Sequence, residues 1–182
     1  PHIGAAQLTA RWSDAHVVNA GDGKHQHPTQ ALLDLYTIKK RLGRLDDLKV
    51  AIVGDILHSR VARSDIEAFQ MMGLDVTLIG PPALIPPGIV EATGVKVSDD
   101  PEAMSEADVI YVLRMQHERM EPGQNYLPSL REYARVWGVN ARRVRPGQVV
   151  MHPGPMNRGV EIAPDVADSG VSLVENQVEA GL

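Results

Sequence analysis

Apolar positions along the chain alternate between two rhythms. Val50-Ala-Ile-Val53, Val76-Thr-Leu-Ile79, Val109–Leu113 and Gln148-Val-Val-Met151 are short, nearly solid apolar runs rich in β-branched residues. Such runs suit strands buried on both faces of a sheet. His16–Asn19 and Val95–Val97 read as two further short strands. Between them lie segments with helical spacing. Ala5, Leu8 and Trp12 share one face of a helix over residues 1–12. A second helix starts near Pro28, has Ala31, Leu35, Ile38 and Leu42 on its apolar face, and stops at Gly43. Ser59 can cap a third, with face Ala62, Ile66 and Phe69, ending at Gly73. Arg131–Trp137 reads as a fourth helix, and residues 172–182, with Val174, Val178 and Leu182 on one face, as the last. Strands alternating with helices predict an α/β fold with a mostly parallel sheet. A helix end followed by a polar turn puts a boundary between two units at Gly43–Asp47.

Composition narrows the function classes. The 182 residues carry a net charge of −5 with acids and bases interspersed, so no basic block points to nucleic acid. No apolar stretch reaches the roughly 18 residues needed to span a bilayer, and the first ten residues lack a signal-peptide pattern. Without cysteine there is neither a disulfide framework nor a thiolate metal site, which suits a cytoplasmic protein. Both ends read as cuts through helices, so the chain is expected to be a fragment of a longer one.

Polar residues collect beyond the carboxyl ends of the predicted strands. Asp55 and Arg60 follow the first strand of the second unit; Arg114, Gln116 and Arg119 follow 109–113; His152 and Pro155 follow the last. Loops from several parallel strands converge there on one crevice, where open α/β sheets bind ligands. His27-Pro-Thr-Gln30 adds an imidazole, an amide and the free N–H groups of a helix start, which together suit a carbonyl or an anion. The guanidinium groups of Arg114 and Arg119 suit carboxylates. His152-Pro-Gly-Pro155 is a rigid turn whose backbone can approach a small ligand. Taken singly, each would equally fit an ordinary helix entry, solvated charge or tight turn. Gly54 alone does not make a dinucleotide fingerprint. His25-x-His27 lacks a third ligand, so no metal is expected.

In combination the segments are far more specific. Asn19-Ala-Gly-Asp-Gly, His27-Pro-Thr-Gln-Ala-Leu-Leu-Asp, Val53-Gly-Asp with Ser59-Arg60, Leu113-Arg-Met-Gln with Glu118-Arg119, and His152-Pro-Gly-Pro occur in that order. Over essentially its whole length the chain resembles aspartate carbamoyltransferase catalytic chains. The resemblance implies a parallel-sheet three-layer sandwich of the aspartate/ornithine carbamoyltransferase type, with part of a second similar domain. Residues 1–43 would be the latter part of the carbamoyl phosphate domain, 44–171 the aspartate domain, and 172–182 the start of a helix returning to the first. It further implies transfer of the carbamoyl group of carbamoyl phosphate to L-aspartate in pyrimidine biosynthesis, without cofactor or metal. The complete chain would form a homotrimer, with regulatory or dihydroorotase subunits as further partners the family admits. His27 would be the catalytic donor to the carbonyl, and His27, Gln30, Gly154 and Pro155 would bind carbamoyl phosphate. Arg60, Arg114 and Gln116 would bind aspartate, and Arg119 would hold a closed form.

The same resemblance predicts a Ser-Thr-Arg-Thr phosphate loop that does not occur here, so these 182 residues alone are expected to be inactive. Two alternatives stay open. An ornithine or other carbamoyltransferase shares the fold, although Thr29 and Pro153 stand where ornithine enzymes carry cysteine, and two arginines suit a dicarboxylate. A non-catalytic homologue serving assembly would tolerate loss of the phosphate loop, although retention of His27, Arg60 and Arg114 weighs against decay.

Overall fold

A computed structural model describes residues 2–116 and 129–182. The chain starts with α1 (Ala5–Trp12) and α2 (Pro28–Leu42), then enters a βα unit of β1 (Lys49–Val53), α3 (Arg60–Met71) and β2 (Asp75–Ile79). A short α4 (Ile89–Thr93) leads to β3 (Lys96–Ser98), and β4 (Val109–Val112) follows a 3₁₀ turn. Last come α5 (Leu130–Trp137), β5 (Val149–Met151), α6 (Pro164–Ala167) and α7 (Val174–Ala180).

The five strands are all parallel, in the order β3-β2-β1-β4-β5. Val53 stands beside Ile79 on one side and Val112 on the other. Alternating strand residues feed two cores. Val50, Ile52, Leu78 and Tyr111 pack with Ile66 and Phe69 of α3 and Ile38 of α2. Ala51, Val53, Ile110 and Val150 pack with Tyr133 and Trp137 of α5 and Val166 of α6. Helix, sheet and helix thus form three layers, which explains why the strands read as solid apolar runs. Sequence order reverses between β1 and β4, so the loops after these two strands part to leave a crevice.

Several predicted ends are met by the expected chemistry. Ser59 Oγ accepts the Ala62 N–H at 3.1 Å, capping α3. Gly43 closes α2 in the left-handed conformation, φ 78°. Three expectations fail. His16–Asn19 is not a strand, because no neighbouring strand offers it a ladder. Asn19 instead organises a loop, accepting from Gly21 N–H at 2.9 Å and donating to Asp22 Oδ1 at 3.3 Å. The apolar face of α1 is not buried: Leu8 is 59% and Trp12 84% exposed. The helix is tied down at its start instead, where Gly4 N–H donates to Asp22 Oδ2 at 2.9 Å. In α7 the face of Val178 and Leu182 points outward, whereas Leu173 and Gln177 are buried. A polar residue holds the inward position there, for a reason that appears at the site.

Candidate active site

Two helix starts meet at the crevice. His27 is the N-cap of α2 and Arg60 the first residue of α3. They are joined by the His27 N–H, which donates to Ser64 Oγ of α3 at 2.9 Å. Residues from both helix starts line one cleft, and a positive dipole end near it favours anions. The loop after β4 brings Arg114 and Gln116, and the loop after β5 brings Pro153, Gly154 and Pro155. Together with His27, Gln30 and Arg60 they line one cleft of about 160 Å³. The seven residues expected there and described by the structure thus share one wall system. Arg119 lies outside the described residues. Ser59, Val61 and Pro153 also line the cleft. Ser59 and Pro153 stand within the sequence motifs, whereas Val61 carries no signal that a sequence could show.

Each side chain is held from behind. Burial, and then the charge of Arg60, pushes the His27 imidazole below its ordinary pKa, so it is neutral at neutral pH. The Thr29 hydroxyl lies 3.3 Å from Nδ1. With that hydroxyl donating, Nε2 carries the ring proton. Arg60 rests on the loop before α2, where Gly21 has φ +112°. A methyl group on Gly21 would stand 2.6 Å from Arg60 Nη2 and would force the guanidinium to move. That loop is organised by Asp22, which accepts from Gln26 N–H at 2.9 Å and faces His25 Nδ1 at 3.0 Å. The His25 contact is the first cause holding the Asp22 carboxyl below its usual range. His25 is thereby occupied by Asp22, and no cluster of three metal-ligating side chains exists among the described residues.

On the other wall, Asp55 Oδ2 accepts from the Gln116 N–H at 3.2 Å, and its Oδ1 faces His58 Nδ1 at 2.8 Å. Gln116 Oε1 is buried without a hydrogen-bond partner among the described residues, leaving an acceptor at the cleft. In the turn after β5, His152 Nδ1 accepts the Gly154 N–H at 2.9 Å, and Nε2 faces Glu161 Oε1 at 3.2 Å. The Gly154–Pro155 peptide is cis.

Sequence reading missed a buried acidic pair beneath this cleft. Asp34 of α2 accepts from Tyr111 Oη at 2.7 Å, Gln177 Nε2 at 2.6 Å and Gln30 Nε2 at 3.1 Å. Asp65 of α3 is fully buried, and neither oxygen has a partner within hydrogen-bonding geometry among the described residues. Burial raises the Asp34 carboxyl to about 7. Burial, and then the nearby Asp34 charge, raises Asp65 well above the carboxylate range. Burial pushes both carboxyls toward the protonated form; Tyr111, Gln177 and Gln30 oppose it at Asp34, whereas Tyr111 alone opposes it at Asp65, so Asp65 is the member that holds its proton more firmly. A folded state that keeps a proton the unfolded chain gives up above about pH 4 loses stability as pH rises. Asp65→Asn in the full-length protein is therefore expected to raise the melting temperature at pH 8 more than at pH 5. Equal melting curves at both pH values would show that Asp65 is not protonated in the fold.

Comparison with known proteins places this geometry. Residues 46–182 match the family described as "Aspartate/ornithine carbamoyltransferase, Asp/Orn binding domain". Residues 2–40 match "Aspartate/ornithine carbamoyltransferase, carbamoyl-P binding domain". The chain is 57% identical over 186 residues to the "Aspartate carbamoyltransferase catalytic subunit" of Pelotomaculum thermopropionicum, covering all of this chain and 59% of that relative. Among solved structures, the catalytic subunit of M. jannaschii aspartate transcarbamoylase superposes with a TM-score of 0.83 at 33% identity, covering 100% of this chain and 60% of the other. Ornithine carbamoyltransferase from Thermus thermophilus superposes with a TM-score of 0.80 at 30% identity, covering 97% and 58%. The chain thus spans about 60% of the length of the relatives it matches. With both domain descriptions met and the crevice residues gathered as described, the chain belongs to the aspartate/ornithine carbamoyltransferase family.

Proposed function

We propose that the full-length protein containing this chain transfers the carbamoyl group of carbamoyl phosphate to L-aspartate, giving N-carbamoyl-L-aspartate and phosphate in pyrimidine biosynthesis. The observation that carries the reading is the single cleft in which His27, Gln30, Gly154 and Pro155 meet Arg60, Arg114 and Gln116. A carbonyl binder and a pair of guanidinium groups are thereby brought face to face.

In this reading the aspartate amine attacks the carbamoyl carbon, forming the C–N bond. The carbonyl oxygen gains charge, to which neutral His27 donates through Nε2–H. The C–O bond to phosphate then breaks, and the departing phosphate takes up the amine proton. No side chain need act as a nucleophile, so catalysis rests on alignment and on stabilising the oxyanion. Gln30 and the backbone of Gly154 and Pro155 hold the carbamoyl group. Arg60 and Arg114 grip the two aspartate carboxylates, with Gln116 beside them. Arg119 would hold a closed form. Residues 1–43 would belong to the donor domain, 44–171 to the acceptor domain, and 172–182 to a helix returning to the first. Resemblance to the family supports a cytoplasmic homotrimer for the complete protein, with regulatory or dihydroorotase subunits as further partners.

The acceptor follows from charge. Arg60 and Arg114 suit a dicarboxylate and repel the extra ammonium group of ornithine. Assay of the full-length protein with carbamoyl phosphate and either amino acid tests the reading. Carbamoylation of aspartate, with little or none of ornithine, is expected. Preference for ornithine would overturn the acceptor assignment, and absence of transfer to either would overturn the function. These 182 residues alone should show no turnover.

A further inference from the structure

The geometry points to Asp34 as the positioning residue that fixes which end of the Gln30 amide faces the cleft and ties that amide to the turn at His152–Pro155. This inference rests on the carbamoyl-transfer reading above and names a residue that does not line the cleft.

Asp34 gathers three elements. Gln30, one turn earlier on α2, donates Nε2–H to Asp34 Oδ1 at 3.1 Å and Oδ2 at 3.2 Å. Tyr111 of β4 donates its hydroxyl to Oδ2 at 2.7 Å. Gln177 of α7 donates Nε2–H to Oδ1 at 2.6 Å. The two ends of an amide are nearly equal in size, so packing alone does not decide which points where. Both Asp34 oxygens accept, from Gln30, Tyr111 and Gln177, so this carboxyl draws the –NH₂ end of each amide toward itself. The oxygen of Gln30 is left for the cleft. The oxygen of Gln177 is left to accept the His152 N–H, which it does at 2.9 Å. His152 Nδ1 then accepts the Gly154 N–H at 2.9 Å. One buried carboxylate thus orients two parts of the carbamoyl-binding wall. This is also why α7 turns Gln177 inward.

An amide oxygen facing the cleft recognises N–H donors, and the carbamoyl group carries an –NH₂. Acetyl phosphate has a methyl group there and is otherwise closely similar. Asp34→Asn presents its own donor to Gln30 and Gln177. Gln177 cannot turn over without setting –NH₂ against the His152 N–H. Gln30 is the amide free to turn, and its –NH₂ then faces the cleft.

The test measures binding of carbamoyl phosphate and acetyl phosphate to the full-length protein and its Asp34→Asn variant, below the melting temperature of both. Carbamoyl phosphate should weaken roughly tenfold, the scale of one lost hydrogen bond, while acetyl phosphate changes little. The preference for the carbamoyl compound should therefore collapse. A merely structural role would weaken both ligands together, and that result, or an unchanged preference, overturns the inference. If Asp34→Asn does not fold, Asp34→Ser removes the paired acceptor with less conflict and must show the same collapse. Wild-type protein separates the two readings. If it fails to carbamoylate aspartate, the functional reading falls. If it does so and the variants keep their preference, only the role of Asp34 falls.

Discussion

Arg114→Ala in the full-length protein is expected to raise the Michaelis constant for aspartate about ten- to a hundredfold while leaving carbamoyl phosphate binding near wild type. Arg114 follows β4 at the switch point of the sheet and lines the cleft with Arg60. Two carboxylates need two fixed cations, because one guanidinium cannot clamp both. A charge-assisted hydrogen bond is worth about 1.5–3 kcal/mol, and its loss leaves a substrate carboxylate poorly paired. That energy corresponds to the expected change, at about 1.4 kcal/mol per factor of ten. Arg114→Lys should recover part of the loss, since an ammonium lacks the planar fork. Steady-state kinetics in aspartate, with donor binding measured separately at equilibrium, decides the matter. Unchanged aspartate kinetics would make Arg114 ordinary surface charge. An equal collapse of donor binding would mean damage to the fold.

His27→Ala should act on turnover. The imidazole is neutral because burial and Arg60 hold its pKa down, so one ring N–H remains as the donor to the carbonyl oxygen. That oxygen gains negative charge only as the amine attacks, so the bond strengthens toward the transition state. Removing a single donor of this kind costs about 2.7–4 kcal/mol, or about 10²–10³ in kcat. The lowered pKa keeps the ring neutral in the ligand-free protein above its ordinary value of 6.5. A variant with wild-type kcat at saturating substrates would remove His27 from the chemistry.

Much of this cleft could be read before any coordinates. Pro28 and Ser59 marked the two helix starts, and α2 and α3 begin there. Arg114 and Gln116 were placed by the end of an apolar run, and His152 and Pro155 by the end of another. Strand ends are local features, and a parallel sheet delivers them to one edge whatever its other details. Glycine was only partly legible. Gly21 stands in the Asn19-Ala-Gly-Asp-Gly motif, but its closeness to Arg60 follows from two segments about 40 residues apart meeting in space.

By itself the sequence determined the class of fold, the order of the five strands and of α1, α2, α3, α5 and α7, the caps at Ser59 and Gly43, and the family motifs that name the cleft residues. These properties depend on neighbours within a turn or two, where hydrophobic period and capping chemistry act. Tertiary structure alone decided the fate of residues 16–19, since a strand exists only with a partner. It also decided which faces of α1 and α7 are buried. Above all it created the polar centre under the cleft. Asp34 meets Tyr111 across 77 positions and Gln177 across 143. A buried polar residue is stabilised by the donors that reach it, and no local pattern records where those donors come from.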